Sequence, residues 1–252
     1  MQRAKFVIGT IAWGSLAHLL LSVAVPLAVL LFVRLELVAL AVAVVVASKW
    51  RIIAVQPRHW LANFRTNSSD LIVNLSFVVL LMRAETLATN LLLTVLYIIW
   101  LVWLKPQTKE VLVGAQALVT HFVGLTTLFW LADSLNEVIV VLLAWLIALA
   151  ASRHFLSHFE EPLIRVISFG WALFVAQIVW LANRWLVIYP LSNDMVVPQA
   201  AVVVTPIAYV LGTIYLLSQR GVLKRAITRN YVFVGCIILV VVVYITDWSV
   251  ER

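Results

Sequence analysis

Two histidines four residues apart, His154 and His158, stand just ahead of Glu160 and Glu161, the densest group of chemically able side chains in the sequence. On a helix, residues four apart share a face, which is how paired metal ligands are displayed. As a metal site the pair is a weak candidate, because the chain's 5 histidines cannot supply the many ligands of a membrane di-iron centre. Pro162 suits the first position of a helix. The stretch therefore reads as a charged interfacial loop, with Glu160 and Glu161 favoured by the dipole of the helix that follows.

A second set of polar residues lies inside apolar stretches. Gln116, Thr120 and His121 are spaced about a turn apart, Gln177 lies in a later stretch, and Gln199, Thr205, Pro206 and Tyr209 share another; His18 lies in the first. Pro206 has no N–H to give the carbonyl one turn earlier and predicts a kink. Kinked helices carrying polar groups accompany transporter sites. Gln116, Thr120, His121, Gln177, Thr205, Pro206 and Tyr209 are thus the expected polar lining of a transport path, with interhelical hydrogen bonding as the plainer alternative. Histidines in a membrane also hold haem or relay protons, but no attachment motif is present.

The third set is a repeated doublet, Arg34-Leu35-Glu36 and Arg83-Ala84-Glu85. Residues two apart do not face each other on a helix, so pairing across hairpins, Arg34 with Glu85 and Arg83 with Glu36, is the better geometry. Otherwise each charge simply marks the water boundary. Neither turn holds the Gly, Pro, Asn or Asp that commonly make one. A bend at Pro26 is the rival, and it would carry Arg34 and Glu36 into the membrane.

The elements that must position these residues follow from composition. Hydrophobic residues make up 64% and charged residues 12%, with a mean hydropathy of +1.08, against roughly 45–50% and 25% in soluble domains. Apolar blocks long enough to cross ~30 Å of hydrocarbon recur along the chain. In lipid the backbone must satisfy itself, which leaves helices or closed barrels, and blocks without period-2 alternation point to helices. The predicted fold is all-α, a polytopic transmembrane bundle forming a single domain over 1–252.

About nine segments are expected (eight to nine), near 13–33, 36–49, 70–82, 86–104, 110–131, 135–152, 162–182, 196–218 and 231–247. Ser134 and Glu137 suggest a capping box, and Gly221 a helix stop. Segments 36–49 and 70–82 fall below the ~17 residues of a full crossing, so they either borrow neighbours or re-enter. Arg3 and Lys5 ahead of an apolar stretch, then Ser22-Val23-Ala24, imitate a secretory signal; an uncleaved first helix is the expected meaning.

Lysine and arginine concentrate in cytoplasmic loops. With the amino terminus inside, 14 of the 18 basic residues fall on the inner side, leaving Arg34, Arg83, Arg184 and Arg252 outside with Asp133, Asp194, Asp247 and Glu251. Tryptophans such as Trp60, Trp103, Trp185 and Trp248 sit near segment ends, where amphipathic rings settle. The expected location is the cell membrane, with a cytoplasmic amino terminus. The net charge of +7 then reflects orientation and anionic headgroups at the inner basic loops, rather than nucleic acid.

The sequence carries no phosphate loop, no G-x-G-x-x-G, no H-E-x-x-H and no Gly-x-Ser-x-Gly, and its lone Cys236 forms no internal disulfide. No catalytic residue and no cofactor is expected. The functional expectation is a small-solute or ion permease or channel-like protein. The alternatives are a non-catalytic accessory subunit working beside a membrane-protein partner and, less favoured, a membrane-embedded enzyme.

Overall fold

The computed structural model describes residues 2–52, 54–184, 187–192 and 195–246. Trp185, Asp194, Asp247, Trp248, Glu251 and Arg252, and the side chains of Arg3, Lys5 and His18, lie outside the described residues. The helices are α1 (Gln2–Arg34), α2 (Val38–Ser48), α3 (Trp60–Arg83), α4 (Leu87–Ile99), α5 (Glu110–Leu131), α6 (Glu137–Ser157), α7 (Ile164–Arg184), α8 (Gln199–Gln219) and α9 (Arg225–Ile245). A π-helical turn, Trp100–Leu104, prolongs α4.

Six of these helices are long and apolar enough to cross a membrane: α4 with its π turn, and α5 to α9. The two short segments resolve differently. The stretch 70–82 is the apolar half of α3, which borrows a polar beginning and reaches 24 residues. The stretch 36–49 yields α2 with only 11 residues, about 16 Å at 1.5 Å per residue.

α1 runs unbroken through Pro26, so the rival bend does not form, and Arg34 and Glu36 lie exposed in the turn to α2. Glu36 takes the left-handed conformation, φ 60°. Its N–H bonds the carbonyl of Val33 at 3.0 Å, and that of Leu37 bonds Phe32 at 2.8 Å. This is the closure that glycine usually provides, made here by a glutamate. After α3, Thr86 caps α4 by accepting from the Thr89 N–H, and Asn90 donates to the Ala84 carbonyl at 2.8 Å. Arg83 donates to the Trp130 carbonyl at 2.9 Å.

Other boundaries need correction. Asn136, rather than Ser134, caps α6, its side chain accepting from the Val138 N–H at 2.9 Å. α7 starts two residues beyond Pro162. Gly221 does end α8, at φ 65°, with the Val222 N–H bonding Leu217. Between α7 and α8 the chain forms an antiparallel hairpin, β1 (Ile188–Ser192) and β2 (Met195–Pro198), pairing Tyr189 with Val197. It is tied down by Trp130 Nε1 donating to the Val196 carbonyl at 2.9 Å, and by Tyr189 and Gln199 meeting Thr246.

Two apolar cores result. One gathers α1 to α4 around Val29, Val45, Val73, Leu81 and Tyr97; the other gathers α5 to α8 around Leu125, Val140, Ala144, Val175 and Val204. In lipid, close packing and interhelical hydrogen bonds hold helices together more than apolar burial does. The cores are joined accordingly. At Gly124 an added Cβ would come within 2.9 Å of Ile147 and 3.1 Å of Ile72, Ser76 bonds Thr127 at 3.0 Å, and Ser69 donates to the Ala150 carbonyl at 3.2 Å.

Contacts between helix ends follow an alternating course. Lys49, Asp70 and Lys105 meet at one end, where Arg220 also pairs with Glu110. Arg83 meets Trp130, and Arg184 pairs with Glu137, at the other. Consecutive helices from α3 to α8 therefore run antiparallel.

Candidate functional site

Two regions gather polar or open structure, and they lie in different halves of the bundle. The first is a charged junction where the ends of α2 and α4 meet the middle of α3. Lys49 Nζ lies 2.7 Å and Lys105 Nζ 2.9 Å from one carboxylate oxygen of Asp70. The other oxygen accepts from Asn74 Nδ2 at 2.8 Å and from Trp100 Nε1 at 3.4 Å.

Tyr97, fully buried and stacked on Phe77, donates to Asn74 Oδ1 at 2.6 Å. The π turn contributes by bonding the Lys105 N–H to the Trp100 carbonyl at 2.8 Å, which brings both side chains to Asp70. A charge taken out of water must be paired and hydrogen-bonded. Here both carboxylate oxygens are occupied, and one positive charge remains. Burial, reinforced by the like charge of Lys105 and opposed by Asp70, lowers the Lys49 ammonium to about 8.

Gln116 couples this junction to the second half. Its amide nitrogen donates to the carbonyls of Leu104 at 2.6 Å and Gln107 at 3.0 Å, so its oxygen is left to accept from His154 Nε2 at 2.6 Å. That nitrogen carries a proton in this arrangement and cannot ligate a metal. His158 packs against Phe159 beyond the end of α6. No group of three or more potential metal ligands occurs among the described residues.

The second region is a cavity of about 460 Å³ bounded by α5, α6, α7 and α8. α7 packs along α6 and stands away from α8, while small residues on α5 and α8, among them Gly114, Ala117, Ala208 and Gly212, leave the space unfilled. Phe155, Leu156, Ile167 and Leu216 complete apolar walls. From Glu110 at its mouth to His121 at its depth the chamber runs about 16 Å along α5.

His121 closes the deep end with no polar atom to spare. The Ala117 carbonyl can only accept, so Nδ1 donates to it at 2.9 Å; Trp171 Nε1 can only donate, so Nε2 accepts from it at 2.8 Å. The imidazole is neutral with both nitrogens engaged, which leaves neither a haem ligand nor a proton relay.

The predicted polar lining converges only in part. His121 and Tyr209 face the chamber. Thr120 is buried but returns its hydroxyl to the Gln116 carbonyl at 2.8 Å. Gln177 is on the exposed side of α7. Thr205 Oγ1 is buried without a hydrogen-bond partner among the described residues, and neither Thr205 nor Pro206 lines the cavity.

Asp70 escaped the sequence reading because it opens an apolar segment and so passes for a boundary charge. Its spacing of four from Asn74, on one helical face, is the signal that could have found it. The chamber has no such signal, since its small residues fall on separate helices.

Comparisons with protein families, with curated proteins and with solved structures return no match. The chain is a helical membrane protein, and its function rests on its own geometry.

Proposed function

We propose that the protein is a non-catalytic, membrane-embedded binding protein for a lipophilic molecule, held in the chamber between α5 and α8. The observation that carries this reading is the character of that space. At about 460 Å³ it is the size of a ligand pocket, typically 300–1,000 Å³, and most of its few polar groups, His121, Ser152, Tyr215 and Glu110 among them, are spent on the protein itself. A hydrophilic solute would find no row of free donors and acceptors to replace its water, so the chamber suits an acyl or isoprenoid tail better than an ion or a small polar solute. An accessory subunit shares the absence of chemistry but has no use for an open chamber.

The frame we propose around it crosses the cell membrane nine times with the amino terminus in the cytoplasm. The antiparallel course of α3 to α8 supports this, as does the gathering of basic residues at the Lys49 end. In a Cys236-free background, a cysteine placed at Ser192 should label from outside the cell only.

The chamber reading is tested by native mass spectrometry of the detergent-purified protein. The wild type should retain a lipophilic adduct that Gly212→Leu, filling the space beside Phe155, loses without a matching loss of thermal stability. Equal retention by the two proteins, or no adduct on either, would sink the reading.

A further inference from the structure

The chamber does not end at Glu110. A second cavity of about 540 Å³, lined by Lys109, Glu110, Val111, His158 and Arg220 among others, shares Glu110 and Val111 with it. An apolar space thus continues into a polar vestibule, the shape an amphiphile requires. The charges of that vestibule are unequal. Arg220 reaches the same Glu110 oxygen through two of its nitrogens, at 2.8 and 2.7 Å, so that carboxylate is neutralised where it stands.

Lys109 forms none of the ion pairs among the described residues, and Arg220 has three of its five N–H donors still unspent. The next carboxylate, Glu161, is held by the Tyr215 hydroxyl and by the Leu163 N–H at 3.2 Å. Lys109 gives α5 no side-chain cap, so the first N–H groups of that helix also face the vestibule, with the positive end of its dipole.

We infer that the occupant is a lipid with an anionic headgroup: its tail lies in the chamber, and its negative group sits among Lys109, Arg220 and the start of α5. The inference rests on the chamber reading and adds the class of headgroup. Each basic side chain near such a headgroup contributes about fivefold in affinity. Glu110 works against it, by engaging Arg220 and by its own charge.

The test uses the whole protein in detergent micelles, titrated with phosphatidylglycerol or phosphatidylcholine carrying brominated acyl chains. The readout is the quenching of Trp171, taken as the difference between wild type and Trp171→Phe. The anionic lipid should quench at a mole fraction at least fivefold lower than the zwitterionic one. Lys109→Gln should erase about fivefold of that preference, and Glu110→Gln, which releases Arg220, should enlarge it. Equal quenching by both lipids, unmoved by either substitution, overturns the headgroup inference and leaves the chamber reading standing. If neither lipid quenches Trp171, both fall.

Discussion

The two halves of the bundle treat their interior in opposite ways. Around Asp70 the structure concentrates charge and saturates it, with Lys49, Lys105, Asn74 and Trp100 all pointed at one carboxylate. Around His121 it removes side-chain volume and leaves the gap open. A carboxylate saturated in this way has nothing left to offer a ligand, however conspicuous its neighbours. The unfilled region, whose residues look ordinary, is the one that can bind. Chemical conspicuousness and availability are separate properties, and here they lie in different places.

The contrast is broken most severely at Asp70. Asp70→Ala leaves two part-buried lysines facing each other and should cost about 3–5 kcal/mol, read as a large fall in detergent melting temperature. The Lys49→Met, Lys105→Met background should recover most of it. Survival of Asp70→Ala at full stability would show that the junction holds nothing.

Glycine substitutions sharpen the comparison. Gly124→Ala sets a methyl 2.9 Å from Ile147 and should cost about 1–3 kcal/mol. Gly212→Ala, with Phe155 no nearer than 3.8 Å, should stay under about 1 kcal/mol. Equal losses would mean that the chamber wall is as tightly packed as the joint between the cores.

The smallest effect is a titration. The Lys49 ammonium is lowered to about 8 in the folded protein, against about 10.4 for a free lysine. Below pH 8 both states hold the proton and the burial penalty is fully present. Between pH 8 and 10.4 the folded state has released a proton that the unfolded state keeps, so stability rises with pH. The melting temperature should therefore climb across this window in the wild type, and Lys49→Met should flatten the climb.

That the fold is helical with several apolar spans was legible in the sequence for a physical reason: apolar length is a sum over many residues, and sums survive local error. Gly221 was legible because only a residue at ease at positive φ closes α8 there. The turn at Glu36 hid its mechanism, because a glutamate holds the conformation expected of glycine. The β1–β2 hairpin was passed over, although Ile188, Val196 and Val197 flank Asn193-Asp194 in a hairpin-like pattern. Asp70 and the chamber both depend on which helices are neighbours, and spacing along one chain does not encode that. The partner of His154 was hidden for the same reason: Gln116 comes from another helix.

α2 has a consequence for the surrounding membrane. Its 11 residues offer lipid only about 16 Å of apolar helix, beside a hydrocarbon layer of ~30 Å. Bilayers answer such a shortfall by thinning around the short element, and Lys49 at its end draws water and headgroups inward. By contrast α8 and α9, at 21 residues each, match full thickness. In the nine-crossing frame proposed above, the leaflets are pinched beside α2, and neighbours with equally short spans settle against that flank at the lowest elastic cost.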